Sequence, residues 1–194
     1  CARFVADDPP DGCVDAAADA WHRSDGDVRQ VLRAIFQSPD FWAPQYVRSK
    51  VKTPLEFVAS AVRAVGGVPD STPRLAQVVA RLGQPLYLQP VPTGYPETQE
   101  DWVNSGALLN RMNVAVALAG GRLPGVVVEL EPVVPLTTHD SRLTELVNDR
   151  VLGGVMSRHT KEVIGLQTSD ISDPARARAF AVGLAIGGPE FQRQ

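Results

Sequence analysis

Three consecutive residues, His139, Asp140 and Ser141, are of the types that form hydrolytic triads. A triad requires the serine oxygen, the imidazole and the carboxylate in one line of hydrogen bonds, normally from separated segments. Because consecutive side chains point in different directions, we interpret this stretch as the N-cap of a helix. Ser105 lacks a Gly-x-Ser-x-Gly elbow and falls inside a predicted helix. The sequence therefore identifies no catalytic residue, and whether the protein is an enzyme stays open.

Residues that bind metals are present, but not at usable spacings. The histidines at positions 22, 139 and 159 share no helical turn, and Cys1 and Cys13 form no zinc motif. The aspartates between positions 7 and 27 lack the alternating ligands of a calcium loop, so we interpret them as helix caps and solvated side chains. The Gly-Gly pairs lack the Gly-Lys-Ser/Thr continuation of a phosphate loop. We predict no metal and no cofactor.

The best candidate for a binding site is a loop rich in Pro, Gly and aromatic residues, at positions 84–105. Its prolines lack backbone donors and push the preceding residues toward extended geometry, so it cannot be one helix. Aromatic faces combined with polar groups suit the recognition of a carbohydrate or a peptide. The candidate ligand-binding residues are Tyr87, Tyr95, Glu97, Trp102, Asn104 and Arg111.

The alternative role of this loop is structural. Asn104 and Arg111 are seven residues apart, so they are expected on one face of a helix, where they bind a ligand or hold the loop backbone. Pairing of Glu97 with Arg111 would indicate a structural role for both residues. We favour the interpretation in which the loop locks its two flanking helices, with its aromatic side chains packed against them.

Composition limits the class of protein and its partners. The chain has 194 residues, of which 44% are hydrophobic and 21% charged, as in ordinary globular proteins; 16 Pro and 16 Gly predict many breaks between elements. A formal net charge of -3 provides no electrostatic basis for binding nucleic acid or an anionic membrane. No apolar run reaches the length of a membrane span. Cys1 and Cys13 allow one disulfide or two free thiols, and both remain open.

Helical periodicity predicts most of the first third of the chain. Residues 1–6 have the pattern of a helix end, and a complete helix is expected over about 11–22. Asp25 is a candidate N-cap for the next helix, whose apolar stripe ends at Ser38-Pro39. We expect the aromatic residues that follow to seal the core: Phe41, Trp42 and Tyr46.

The clearest helix start is Thr53-Pro54-Leu55-Glu56, a capping box with proline at the first helical position. Ser71 or Thr72 before Pro73 predicts another start, and the longest helix is expected over 98–119. Residues 126–130 have the composition of a strand. We found no second run to pair with them, so we expect a helix or an extended loop there.

Two further helices are expected near the end of the chain. One begins at Ser157 and continues through Leu166, and the last is capped by an aspartate before Pro174 and ends near Gly187. We therefore predict an all-α fold, an irregular multi-helix bundle with long Pro/Gly-rich loops, in one helical domain over residues 1–194.

Several motifs occur in a characteristic order along the chain. The earlier ones are Arg3-Phe4-Val5 with Asp7-Asp8-Pro9-Pro10, Ser38-Pro39-Asp40-Phe41-Trp42, and Lys50-Val51-Lys52-Thr53-Pro54-Leu55-Glu56-Phe57. The later ones are Gly83-Gln84-Pro85-Leu86, Pro90 with Pro92-Thr93-Gly94-Tyr95-Pro96, and the stretch from Trp102 to Asn113. Together they resemble the C-terminal part of the domain-of-unknown-function 1800 (DUF1800) family, over essentially the whole chain.

This resemblance implies that the chain is the C-terminal portion of a longer protein, since family members are usually more than twice this length. It also implies a bacterial protein in a periplasmic or extracellular location, often encoded beside a second exported family. The expected partners are the missing N-terminal portion or that co-encoded exported protein. The family supplies no activity that can be transferred residue by residue.

Two functional hypotheses follow. The first is an exported helical binding or scaffolding module. The second is a hydrolase that acts on an extracellular polymer, with the 84–105 loop lining its cleft. A cleft that brings Glu97 and a second acid within about 5 to 10 Å of each other would favour glycoside chemistry.

Overall fold

The secondary structure is predominantly α-helical, which confirms the predicted all-α class. A computed structural model describes residues 1–136 and 140–194. Its α-helices are α1 Asp11–Arg23, α2 Val28–Gln37, α3 Pro54–Ala64, α4 Arg74–Arg81, α5 Gln99–Trp102, α6 Ser105–Ala119, α7 Asp140–Val151, α8 Arg158–Thr168, α9 Pro174–Gly187 and α10 Pro189–Gln192. A short 3-10 helix covers Pro39–Trp42, and two short strands are β1 Val68–Pro69 and β2 Val126–Val127.

The chain divides into two compact units. Unit 1 contains residues 1–51, 96–101 and 193–194, and unit 2 contains residues 52–95 and 102–192. The central loop therefore contributes its segment 96–101 to unit 1 and its remaining residues to unit 2. The single helical domain over residues 1–194 stays a prediction.

Unit 1 is built around a disulfide between Cys1 and Cys13. Cys13 is fully buried on α1 and clusters with Val5 and Ile35 of α2. Residues 1–5 form a turn in which the Val5 amide donates a hydrogen bond to the Cys1 carbonyl at 2.8 Å, and the predicted helix end stays a prediction. The disulfide holds this short turn against α1, and one of the two alternatives left open by the sequence is thereby decided.

The start of α2 differs from the prediction by two residues. Asp27, not Asp25, is the N-cap, and its carboxylate accepts the Arg29 amide at 2.8 Å. Asp25 instead has a φ of 50°, in the left-handed turn between α1 and α2. Aspartate tolerates both positions, so local sequence alone did not distinguish them.

The aromatic residues after α2 do not all seal a core. Phe41 and Tyr46 are partly buried and pack against the unit 1 cluster. Trp42 is 70% exposed, and its indole donates to the Phe36 carbonyl at 2.8 Å. The expectation that Trp42 is buried is wrong because this hydrogen bond orients the ring along the surface.

In unit 2 the predicted capping box is confirmed. The Thr53 hydroxyl accepts the Glu56 amide, and the Glu56 carboxylate accepts the Thr53 amide at 2.8 Å. The predicted cap of α4 at Ser71 or Thr72 is wrong: Pro73 is the N-cap, without a side-chain hydrogen bond. Thr72 is engaged elsewhere, because its amide and hydroxyl donate to the Asp70 carboxylate.

The predicted long helix over 98–119 is interrupted. It consists of α5 and α6, and Asn104 between them has extended backbone geometry. The Asn104 side chain accepts the Ala107 amide at 2.9 Å and caps α6. Asparagine competes with helical hydrogen bonds through its own side chain, which explains why apolar periodicity across this position was misleading.

The expectation of a helix or isolated loop at 126–130 is also corrected. Val126 and Val127 pair antiparallel with Pro69 and Val68 in a two-stranded sheet. The partner strand is two residues long and contains a proline, so it carries no recognisable strand pattern. Strand β1 pairs with β2 because of where the chain runs after α3, which the local sequence does not reveal.

The core of unit 2 depends on the close approach of α6 and α9. The buried residues of α9 are Ala177, Ala181, Val182, Gly183, Ala185 and Ile186. A Cβ atom at Gly183 would lie 2.9 Å from the Val116 Cα of α6. Asp173 caps α9 and Pro174 begins it, which confirms the predicted start.

The predicted helix start at His139-Asp140-Ser141 lies only partly within the described residues. His139 lies outside them, and α7 begins at Asp140. Within residues 1–136 and 140–194, no helix is long and apolar enough to cross a membrane.

Substitution of Gly183 by Ala tests the α6–α9 contact. The added methyl group would collide with the Val116 backbone, so we expect the free energy of unfolding to fall by about 1 to 3 kcal/mol. Urea denaturation measures this change. Gly165 of α8 is the matched control, since a Cβ there meets nothing within 4 Å. Gly165→Ala should instead stabilise by about 0.5 to 1 kcal/mol, and equal effects of both substitutions would contradict the proposed packing.

Candidate binding site in the central loop

The loop begins where Gly83 ends α4 with a φ of 104°. The next residue, Gln84, is buried, and its side-chain oxygen accepts the Leu55 amide at 2.8 Å in the first turn of α3. This bond satisfies one of the free amides at the start of α3 and fixes the origin of the loop. Gln84 was not among the predicted site residues, although it lies in a family-resemblance motif.

Two of the predicted residues, Tyr95 and Trp102, come together in unit 2. Their ring centroids are 6.2 Å apart and their planes are inclined by 49°. Trp102 is buried, and the Tyr95 hydroxyl donates to the Pro85 carbonyl. These contacts draw the end of the 84–95 segment back to its beginning, so this part of the loop is a closed structure rather than an open chain.

Tyr87 is placed very differently, at the exposed tip of this closed segment. It is fully exposed and has a φ of 61°, which is uncommon for a residue other than glycine. Leu88 and Val91 nearby are also exposed. The loop therefore presents apolar side chains to solvent on a backbone that is held by the Gln84 and Tyr95 hydrogen bonds.

An apolar groove of about 460 Å³ adjoins this loop in unit 2. It lies along α3 and α4, and Leu86 of the loop forms part of its wall. The remaining lining residues are Leu55, Val58, Ala59, Val62, Arg63, Gly67, Pro69, Leu75, Ala76 and Val79. Arg63 is the charged residue among them. Sequence analysis missed this groove because its walls come from three segments that are separate in the chain.

Glu97 belongs to the loop segment in unit 1. Its carboxylate lies 3.7 Å from the Arg3 guanidinium, and both side chains are about half exposed. Its backbone carbonyl accepts a 3.4 Å hydrogen bond from the Lys50 ammonium. Glu97 is therefore a surface ion-pair residue, and such pairs contribute little to stability.

The segment 96–101 is held in unit 1 by Asp7. One carboxylate oxygen of Asp7 accepts a hydrogen bond from the buried Lys50 ammonium. The other oxygen accepts a hydrogen bond from the Gln99 amide at 2.8 Å. Burial raises the pKa of Asp7, but the hydrogen bonds from Lys50 and Gln99 and the Lys50 charge together lower it below the ordinary value of 3.8. A polar cavity of about 490 Å³ adjoins this cluster, and Glu100 and Tyr46 line it.

Arg111 is almost completely buried within unit 2, on α6. One guanidinium nitrogen donates to the Gln192 side chain of α10 at 2.9 Å, and the group lies 5.5 Å from the Phe57 ring centroid. Burial lowers the pKa of Arg111 to about 10 although the Glu56 charge raises it, so the group remains charged at neutral pH. Its second terminal nitrogen is buried without a hydrogen-bond partner among the described residues.

The six predicted residues thus fall into separate environments. Asn104 is exposed and caps α6, whereas Arg111 lies in the interior, so they do not present one ligand-binding face. Tyr95 and Trp102 close the loop, and Tyr87 projects from it. A metal centre finds no support in the described residues, where no group of three or more potential ligands occurs.

The fold and the loop define a predominantly α-helical protein with a disulfide-linked first unit and an apolar groove in its second. The family model described as "Protein of unknown function (DUF1800)" matches residues 1–193, so the chain belongs to this family. This result confirms the resemblance of the sequence motifs. Comparisons with curated proteins and with solved structures produced no match.

The Asp7 cluster predicts a pH dependence. A carboxyl group whose pKa is lowered by folding stabilises the folded state above its unfolded pKa, and this contribution is lost as the pH falls through the lowered value. We therefore expect the Gln99 amide to be protected from hydrogen exchange at pH 7 and to lose this protection only as the pH falls below 3.8, through the lowered pKa of Asp7. Exchange rates corrected for their intrinsic pH dependence measure this change.

Substitution provides the control for this pH effect. Asp7→Ala removes the acceptor of the Gln99 amide and should remove its protection at pH 7, whereas Asp15→Ala, at an exposed position of α1, should not. Protection that persists in Asp7→Ala would exclude Asp7 as the residue that holds the segment.

Proposed function

We propose that the protein is an exported helical binding module, and that the groove along α3 and α4 binds apolar side chains of a peptide segment. The observation that carries this proposal is the groove itself, with its apolar walls open to solvent. Its volume of about 460 Å³ lies in the range of ligand pockets. Covering such walls removes apolar surface from water, which contributes roughly 25 cal/mol per Å².

The chemistry of the lining favours a peptide over a sugar. A sugar requires several hydrogen-bonding side chains, but Arg63 is the charged group of the lining and the others are aliphatic residues, Gly67 and Pro69. Leu55 at one end of the groove is 42% exposed and offers an apolar contact at its rim. A peptide with two or three apolar side chains on one face would fill such a groove, as amphipathic helices do elsewhere. An acidic side chain of that peptide would pair with Arg63.

The adjoining loop supports the same function. Leu86 continues the groove wall, and the next two residues, Tyr87 and Leu88, are exposed. Because hydrogen bonds at Gln84 and Tyr95 already order the loop, a ligand would not have to order it on binding. The loop thus extends the apolar contact surface beyond the groove at a low cost in conformational entropy.

Export is supported by the disulfide between Cys1 and Cys13. Structural disulfides persist in oxidising compartments and are rare in the cytosol of most organisms. The family resemblance, in which members are often exported, points to the same periplasmic or extracellular setting. In that setting the peptide would belong to another exported protein or to a further portion of the same polypeptide.

The hydrolase alternative has no specific contact in its favour. Glu97, its candidate acid, is an exposed partner of Arg3 rather than one of two carboxyl groups in a cleft. The binding hypothesis therefore accounts for more of the loop geometry.

Blocking the groove tests the binding function. Ala76 lines the groove on α4, so Ala76→Phe should fill it and weaken peptide binding by at least about tenfold. An array of short synthetic peptides identifies a ligand, and fluorescence anisotropy measures its affinity. Gln77→Phe, at an exposed position of the same helix outside the groove lining, is the matched control and should bind like the wild type.

Two results would contradict this function. One is a wild-type protein that retains no peptide but binds members of a glycan array. The other is a folded Ala76→Phe variant, verified by circular dichroism, that binds peptide as tightly as Gln77→Phe.

The disulfide tests export and the stability of unit 1 together. Cys1 and Cys13 are 12 residues apart, so replacing both with serine should lower the free energy of unfolding of unit 1 by about 3 kcal/mol. Chemical denaturation measures this loss.

The redox state of the two cysteines in cells tests export. In acid-quenched fractions of producing cells, the native protein should react with a maleimide reagent only after reduction. Reactive thiols before reduction, in protein recovered from the cytosol, would contradict export.

A further inference from the structure

A second cavity, of about 550 Å³, lies in unit 2 away from the central loop. Its walls come from the end of α6 and the first half of α9. Arg122 and Arg176 line it, as does Asp173, and Phe180 and Ile171 supply apolar surface. Sequence analysis singled out none of these residues for a site, because Arg122 and Arg176 are 54 positions apart in the chain.

The two arginines of this cavity differ from the other arginine of α9. Arg178 pairs with Glu131 at 2.5 Å and also donates to the Val134 carbonyl. Arg122 and Arg176 are exposed, and neither forms an ion pair with a carboxylate of the described residues. Two unpaired guanidinium groups on the wall of one cavity create a local excess of positive charge, which attracts an anion.

The carboxylate of Asp173, although it lines the same cavity, forms no ion pair with Arg122 or Arg176. Its carboxylate accepts the Ala175 amide at 3.0 Å and caps α9. The same cap occupies the amide end of α9, so the attraction for a ligand comes from the arginine side chains rather than from the helix terminus. As a nearby negative charge, Asp173 also reduces the attraction for anions, which favours a ligand that gains affinity from apolar contacts as well.

The position of Arg122 depends on a glycine. A Cβ atom added to Gly120 would lie 3.2 Å from the Arg122 Nε and 3.4 Å from its Nη2. The guanidinium therefore lies directly over Gly120, at the end of α6. A side chain at position 120 would therefore compete with Arg122 for this space.

We propose that this cavity binds a carboxylate carried on an apolar body. The planar guanidinium forks of Arg122 and Arg176 match the two oxygens of a carboxylate, with which arginine forms bidentate hydrogen bonds. Phe180 and Ile171 would contact the apolar body. This chemistry is shared by small aromatic carboxylic acids and by the C-terminal residue of a peptide. The site is separate from the α3–α4 groove and does not depend on its proposed function.

Matched acid and amide probes test the proposal by isothermal titration calorimetry of the purified chain. N-acetylphenylalanine represents a small acid, and a short peptide ending in phenylalanine represents a protein C-terminus. We expect the carboxylate form of at least one probe to bind at least about tenfold more tightly than its amide. Tighter binding of N-acetylphenylalanine than of the peptide would assign a small-molecule ligand. Tighter binding of the peptide would assign a protein C-terminus.

Two cavity variants and two control variants locate this binding. Arg122→Gln and Arg176→Gln should each weaken the carboxylate by about tenfold or more, whereas Arg81→Gln, an exposed α4 residue outside the cavity, should leave it unchanged. Thermal denaturation verifies that each variant is folded. Ala76→Phe, which fills the other groove, should also leave it unchanged. Failure of both carboxylates to bind, equal binding of acid and amide, or unchanged binding by both cavity variants would overturn the proposal.

Discussion

The close contact between α6 and α9 is the constraint on which unit 2 depends. Gly183 allows the α9 backbone to lie directly against Val116, and Gly187, one turn further along α9, lies equally close to Met112 of α6. At this distance the packing is made largely by backbone and methyl groups, which leave no room for an added carbon. The contact also places the start of α9 beside the end of α6, where Arg122 and Arg176 line one cavity. A core interaction thus determines the geometry of a surface site.

The central loop is stabilised by a few polar contacts rather than by a large core. Gln84 and Tyr95 hold its first part in unit 2, and Asp7 holds its segment 96–101 in unit 1. Between these contacts Tyr87 remains exposed on a left-handed backbone. The residues of this segment therefore differ in their environment: Gln84 and Tyr95 hold the loop backbone through hydrogen bonds, whereas Tyr87 lies open to solvent.

Arg111 illustrates how a residue type suited to binding becomes an interior group. Its guanidinium is withdrawn from water, hydrogen-bonded to Gln192 and placed over Phe57. Such burial is costly unless the charge is compensated, and Glu56 supplies part of that compensation. Arg111 joins α6 to α10 in unit 2, so its contribution is to the position of helices. Arg176, by contrast, is exposed and forms no ion pair within residues 1–136 and 140–194.

The sequence by itself determined the helical class, several helix starts and the family. The capping box at Thr53 and the cap at Asp173 were predictable because each depends on residues within one helical turn. The same locality explains the errors: Asn104 interrupts a periodic pattern through a single side-chain hydrogen bond, and the two-residue strand at Val68 has no pattern at all.

Only the tertiary structure decided which side chains meet. The Cys1–Cys13 disulfide, the burial of Arg111 and the two cavities of unit 2 each require segments that are distant in the chain. Residue type limits what a side chain can bind, but its exposure and its neighbours are set by packing between helices. Spacing along one sequence contains no direct record of that packing, so the sites themselves emerged from the fold.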